Sequence, residues 1–91
     1  MYKRTTVIAN PTGLHARPAS DFIALAAKYS SRIIIKRVNG DEDEEANAKS
    51  IVGLLSLGLC QGEEVEITAK GEDETQAVDA LIELIDSRFG E

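Results

Sequence analysis

Residues 63–70, Glu-Glu-Val-Glu-Ile-Thr-Ala-Lys, alternate in polarity: Val65, Ile67 and Ala69 fall on one side, and Glu64, Glu66, Thr68 and Lys70 on the other. Successive side chains of a strand point to opposite faces. Such a segment therefore belongs in a sheet with one face covered and the other in water, and the rest of the chain is read around it. Residues 2–9 are rich in Thr, Val and Ile and predict a second strand. Asn10-Pro11-Thr12-Gly13 ends it in a turn.

From Ala16 to about Tyr29 the spacing becomes helical. Ala19, Phe22, Ile23, Ala26 and Ala27 share one face, with Ser20, Asp21 and Lys28 away from it. Pro18 is tolerated because the first helical turn needs no N–H from it. Ser30-Ser31 interrupt the pattern, Arg32–Val38 predict another strand, and Asn39-Gly40 signals a hairpin. The return strand is delayed by Asp41–Glu45, five consecutive acids that repel one another and suit a solvated tip. A short strand over about 45–49 follows. Ser50 as N-cap and Gly58 as terminator bracket a helix of about two turns, with Leu59 behind it. Gln61-Gly62 turns the chain into the alternating strand. Asp73 with Gln76 resembles a capping box. It opens a last helix from about Glu74 to Arg88, with Val78, Leu81, Ile82, Ile85 and Phe89 along its buried stripe. The order β-α-β-β-α-β-α predicts an α/β (α+β) open-faced sandwich. Its four-stranded antiparallel sheet is covered on one face by three helices, in a single domain over residues 1–91.

Ninety-one residues with 43% hydrophobic and 29% charged side chains suit one small soluble domain. Aromatics make up only 4%, so aliphatic side chains must fill the core. No apolar run approaches the roughly 20 residues that span a membrane, and residues 1–6 lack the apolar stretch of a signal peptide. A cytoplasmic monomer is expected. Cys60 is alone, which excludes an intrachain disulfide, and it reads as a small buried residue rather than a reactive thiol. One His and one Cys make no metal site, and no cofactor is expected. The net charge of −6 divides unevenly, with +6 over residues 1–40 and −12 over residues 41–91. Either the acidic part confers solubility only, or a basic face meets an acidic partner. No dense basic cluster interleaved with aromatics points to nucleic acid.

The one histidine, His15, lies in Gly13-Leu14-His15-Ala16-Arg17-Pro18-Ala19, between the turn and the first helix. Imidazole can act as a nucleophile near neutrality. A helix start offers unpaired N–H groups and partial positive charge, which suit phosphate. Pro18 has no N–H, so the usable donors are those of Ala16 and Arg17, together with the Arg17 guanidinium. Alone, a histidine before a helix is more often a cap or a surface residue.

The whole string resembles the active-site signature of HPr, the histidine-containing phosphocarrier of the bacterial phosphoenolpyruvate:sugar phosphotransferase system. Lys49–Gly58 resembles the second signature of that family, around its regulatory serine. Gln61-Gly62-Glu63 with the strand after it, and Gly71–Glu74, follow the same pattern. The likeness covers nearly all of the chain except residues 39–46, where the hairpin is about four residues longer and acidic. That departure reads as a tip insertion or as the mark of a specialised relative.

The resemblance implies a carrier rather than an independent enzyme. His15 would take a phosphoryl group on Nδ1 from enzyme I, itself charged by phosphoenolpyruvate, and pass it to the IIA domain of an enzyme II. Arg17 would support the group. Ile51, Val52, Leu54 and Leu55 would dock on partners, although core packing competes for the same side chains. Ser50 has two roles open to it: N-cap, and target of an ATP-dependent HPr kinase/phosphorylase. Phosphoserine there would let the chain act on a transcriptional regulator, although relatives devoted to that role lack the active histidine. A nitrogen-related phosphorelay would use the same chemistry with other partners.

Overall fold

The computed structural model of the chain describes residues 1–40 and 44–90. Strands β1 (Tyr2–Val7), β2 (Arg32–Arg37), β3 (Glu45–Asn47) and β4 (Glu64–Lys70) form one sheet in the order β1-β4-β2-β3. Every neighbouring pair is antiparallel. Helices α1 (Ala16–Ala26), α2 (Ile51–Leu57) and α3 (Glu74–Asp86) complete the predicted order and cover one face. The central strand, β4, pairs on both sides, Ile67 lying opposite Arg4 of β1 and Ile35 of β2.

The alternation of β4 is realised as read: Val65, Ile67 and Ala69 are buried, joined in the core by Ile33 and Ile35 of β2. Phe22 of α1, Leu54 of α2 and Val78, Leu81, Ile82 and Ile85 of α3 close the core from the helical side. Fully burying side chains of this size contributes about 1.5–3 kcal/mol each. Edge strand β1 meets α3 differently. Tyr2 and Arg4 both donate to Asp79 (2.9 and 3.0 Å), and Thr6 donates to Asp86.

Four expectations need correction. Helix α1 stops at Ala26, and Ala27 is exposed. Asp73 does not cap α3 with its side chain. Its carboxylate instead accepts the Ser30 and Ser31 N–H groups (2.8 and 3.0 Å) and the Ser31 hydroxyl, which tie the α1–β2 turn to α3. These donors, the Ser31 hydroxyl foremost, hold Asp73 down to about 2 from an ordinary 3.8. Helix α3 ends at Asp86, so Phe89 is not on its stripe: Arg88 and Phe89 turn left-handed (φ 59° and 54°), and Phe89 packs against the core, partly buried, from beyond the helix. Phe89 folds back beside Arg17, Pro18 and Asp21 of α1. Cys60 is exposed, not buried, since the core position behind α2 goes to Leu59. The expected acidic tip, Asp41–Asp43, lies outside the described residues; Glu44 and Glu45 lie within them.

Candidate functional site

The turn before His15 is held mainly by its backbone. Buried Asn10 donates through Nδ2 to Thr12 Oγ1 (3.0 Å) and to Gly13 O (2.9 Å), and its backbone carbonyl accepts from Gly13 N–H (3.1 Å). In the sequence Asn10 reads only as a strand breaker; an Asn at the head of a Pro-Thr-Gly turn is the available signal for such a bracket. Gly13 has φ +65°, and a Cβ there would lie 2.9 Å from Cys60 Cα. The chain thus passes against the α2–β4 connection, where Leu14 N–H donates to Leu59 O (2.9 Å) and the Leu14 side chain is fully buried.

This frame sets His15 at the N-cap of α1 in extended conformation (φ −127°, ψ 159°) and partly exposed. Its ring makes no capping hydrogen bond, so it does not perform the usual side-chain duty of that position. Ala16 follows at φ +52°, a left-handed conformation that costs an L-residue about 1–2 kcal/mol. The strain lies in the residue linking the imidazole to the helix, where strained backbone often accompanies function. The Arg17 side chain is 91% exposed and only loosely paired with Asp21 (4.0 Å). Its guanidinium is available to an incoming anion.

The second candidate region is regular. Ser50 caps α2 by accepting Gly53 N–H on its hydroxyl (3.2 Å), and Gly58 ends the helix at φ +60°, both as predicted. Ile51, Val52 and Leu55 are exposed (44%, 73% and 43%), and together they form an apolar patch at the start of α2. Leu54 does not join them: it is fully buried beneath the helix, which removes it from the predicted docking set. A helix only seven residues long can shed its core-facing leucine from a surface patch by one step of rotation. Among the described residues, no group of three or more metal-ligating side chains assembles. No helix among them is long and apolar enough to cross a membrane.

An antiparallel sheet backed by three helices, with a histidine at one helix start and a capping serine at another, defines a small open-faced α/β sandwich. The chain belongs to the HPr family of phosphocarriers: the family model for the phosphorylation site of the HPr component of the phosphotransferase system (PTS) matches residues 2–87. A phosphocarrier protein HPr of Lysinibacillus sphaericus is 41% identical over 78 residues, covering 86% of this chain and 84% of the relative. The crystal structure of an HPr from Thermoanaerobacter tengcongensis superposes with a TM-score of 0.92 at 48% identity, covering 100% of this chain and 98% of that one. The catabolite repression protein Crh of Bacillus subtilis, seen as a domain-swapped dimer, matches with a TM-score of 0.71 at 34% identity over 97% of each chain. Membership makes phosphoryl transfer within the PTS the broad function.

Proposed function

We propose that His15 is the phosphoryl acceptor. Its Nδ1 lone pair forms the new N–P bond as the bond between phosphorus and the donor, phosphorylated enzyme I, breaks. The same group then leaves His15 for a IIA domain, and the imidazole is regenerated. The observation that carries this reading is a partly exposed imidazole at the start of an 11-residue helix, with its ring unused as a cap. The first-turn N–H groups of Ala16 and Arg17, the helix dipole and the Arg17 guanidinium supply positive potential for the phosphate oxygens. Such a transfer is governed by positioning and charge, and the chain acts as a soluble cytoplasmic carrier with no cofactor of its own. Ile51, Val52 and Leu55 serve as the docking surface for its partners, since exposed apolar patches commonly mark interaction sites. Incubation with phosphoenolpyruvate and enzyme I should yield an acid-labile, base-stable phosphate that His15→Ala abolishes. Labelling that survives this substitution contradicts the reading.

A second role is supported by the Ser50 cap and by the likeness to Crh. A phosphoserine at position 50 would sit where the helix start tolerates a dianion, directly beside Ile51 and Val52. Its main effect would be to block one set of partners or to recruit another, a transcriptional regulator among them. An acid-stable label from ATP and an HPr kinase/phosphorylase, absent in Ser50→Ala, is expected. No label from an active kinase excludes this role.

A further inference from the structure

The connection between α2 and β4 is held from two sides. On one side is the His15 turn, through Leu14 N–H to Leu59 O and the close approach of Gly13 to Cys60. On the other is Arg37, the last residue of β2, whose side chain is only 19% exposed. Its Nη2 donates to Leu57 O (2.6 Å) and Gly58 O (3.4 Å), carbonyls at the end of α2. Nε and Nη2 clasp the two oxygens of Glu63 (2.8 and 3.3 Å), and Nη1 donates to Glu44 (3.0 Å) at the base of the acidic hairpin. Glu63 in turn accepts Cys60 N–H (2.6 Å). The start, middle and end of residues 57–63 are thereby tied to one planar cation. A guanidinium fork fixes such geometry where a flexible ammonium would not. The Cys60 N–H, helped by Arg37, holds the Glu63 carboxyl below the usual range, in keeping with a persistent ion pair.

We propose that Arg37 is a positioning residue for phosphoryl transfer. It holds residues 57–63 in place, and on that segment rests the Gly13-Leu14 turn that aims His15. Arg37 touches no reacting atom. The proposal rests on the reading of His15 as phosphoryl acceptor and adds to it a control from the far side of the α2–β4 connection. A misplacement of about 1 Å at a reacting group can cost about 100-fold in rate, so a partial loosening is expected to cost about tenfold.

The test combines hydrogen exchange with phosphoryl-transfer kinetics on the full chain. In Arg37→Met the Leu14 amide should exchange about tenfold faster while the Ile67 amide in β4 keeps its protection. The kcat for uptake from phosphorylated enzyme I should fall about tenfold, with KM for enzyme I nearly unchanged because Ile51, Val52 and Leu55 lie outside the Arg37 cluster. Glu63→Gln, a milder change to the same cluster, should move both readouts in the same direction by about threefold. It keeps the test decisive where Arg37→Met does not fold. A folded variant of either kind with parental Leu14 exchange, or with parental kcat, overturns the proposal. Failure of both variants to fold makes Arg37 a stability residue and also overturns it. If the parent itself takes no phosphate, the reading of His15 has failed and this proposal falls with it; if the parent is labelled and the variants match it, only the role of Arg37 is lost.

Discussion

His15 and Ser50 occupy the same position on two helices, and the two helix starts are built differently. Ser50 acts as an ordinary N-cap, its hydroxyl accepting Gly53 N–H, and α2 runs regularly to Gly58. His15 does neither: its ring caps nothing, and the next residue is left-handed rather than helical. The turn that holds His15 relies on Asn10, Gly13 and the Leu14–Leu59 hydrogen bond, none of which uses the imidazole. A side chain freed from structural duty can gain and lose a phosphoryl group without unsettling its helix. A side chain that caps its helix cannot be modified without replacing that cap, which suits a slower regulatory mark. The start of α3 is a third variation, since Asp73 commits its carboxylate to Ser30 and Ser31 rather than to its own helix.

This contrast has measurable consequences. The largest falls on function alone: His15→Ala should remove essentially all labelling by enzyme I while changing the unfolding free energy by less than about 0.5 kcal/mol, because no capping bond is lost. Gly13→Ala attacks the frame of His15 instead. A Cβ crowded against Leu59 and Cys60 at φ +65° should destabilise the fold by about 3 kcal/mol in equilibrium unfolding. Ser50→Ala should cost about 1 kcal/mol as a lost cap, and Ser50→Asp should recover most of it, since aspartate caps equally well. Comparable stability of Ser50→Ala and the parent would erase the distinction between the two starts. Ala16→Gly should raise stability by about 0.5 kcal/mol, the relief of left-handed strain being partly offset by the greater freedom of glycine in the unfolded chain. The Asp73 clamp predicts a pH limb. Its folded pKa of about 2 lies below the ordinary 3.8, so the contribution is complete above the ordinary value and is lost as pH falls through about 2. Urea midpoints followed from neutral pH into acid should show that decline, and Asp73→Asn should flatten it.

The parts of the molecule governed by local pattern were legible in the sequence. Alternation in β4, the Ser50 and Gly58 brackets of α2 and the order of elements all follow from side-chain period and cap chemistry, and each was realised. What escaped depended on tertiary packing or on backbone turns that local spacing does not reveal. Asp73 with Gln76 looks like a local cap, yet Ser30 and Ser31 lie 43 and 42 residues away and offer better donors. Phe89 fits the spacing of the α3 stripe, but the left-handed turn at Arg88 redirects it toward Pro18. Leu54 shares an apolar run with Val52 and Leu55, and only the packing of α2 tells which of them faces the core. Cys60 looks like a small core residue until Leu59 is seen to occupy that place. The Arg37 cluster joins residues from β2, the hairpin, α2 and the turn before β4, and no short-range pattern announces it. At the candidate site, His15 and Arg17 stood out by residue type and spacing, whereas the strain at Ala16 and the bracket at Asn10 are properties of the folded backbone.

The claim that one helix start carries the transferable group and the other a structural cap can be tested by locating the phosphate itself. The protein is loaded with phosphoenolpyruvate and catalytic enzyme I, and phosphorus NMR is combined with imidazole nitrogen correlations. A single phosphoramidate resonance coupled to His15 Nδ1 is predicted, lost in His15→Ala and unchanged in Ser50→Ala. A phosphate on Ser50, or a phosphoramidate signal that persists in His15→Ala, would contradict it.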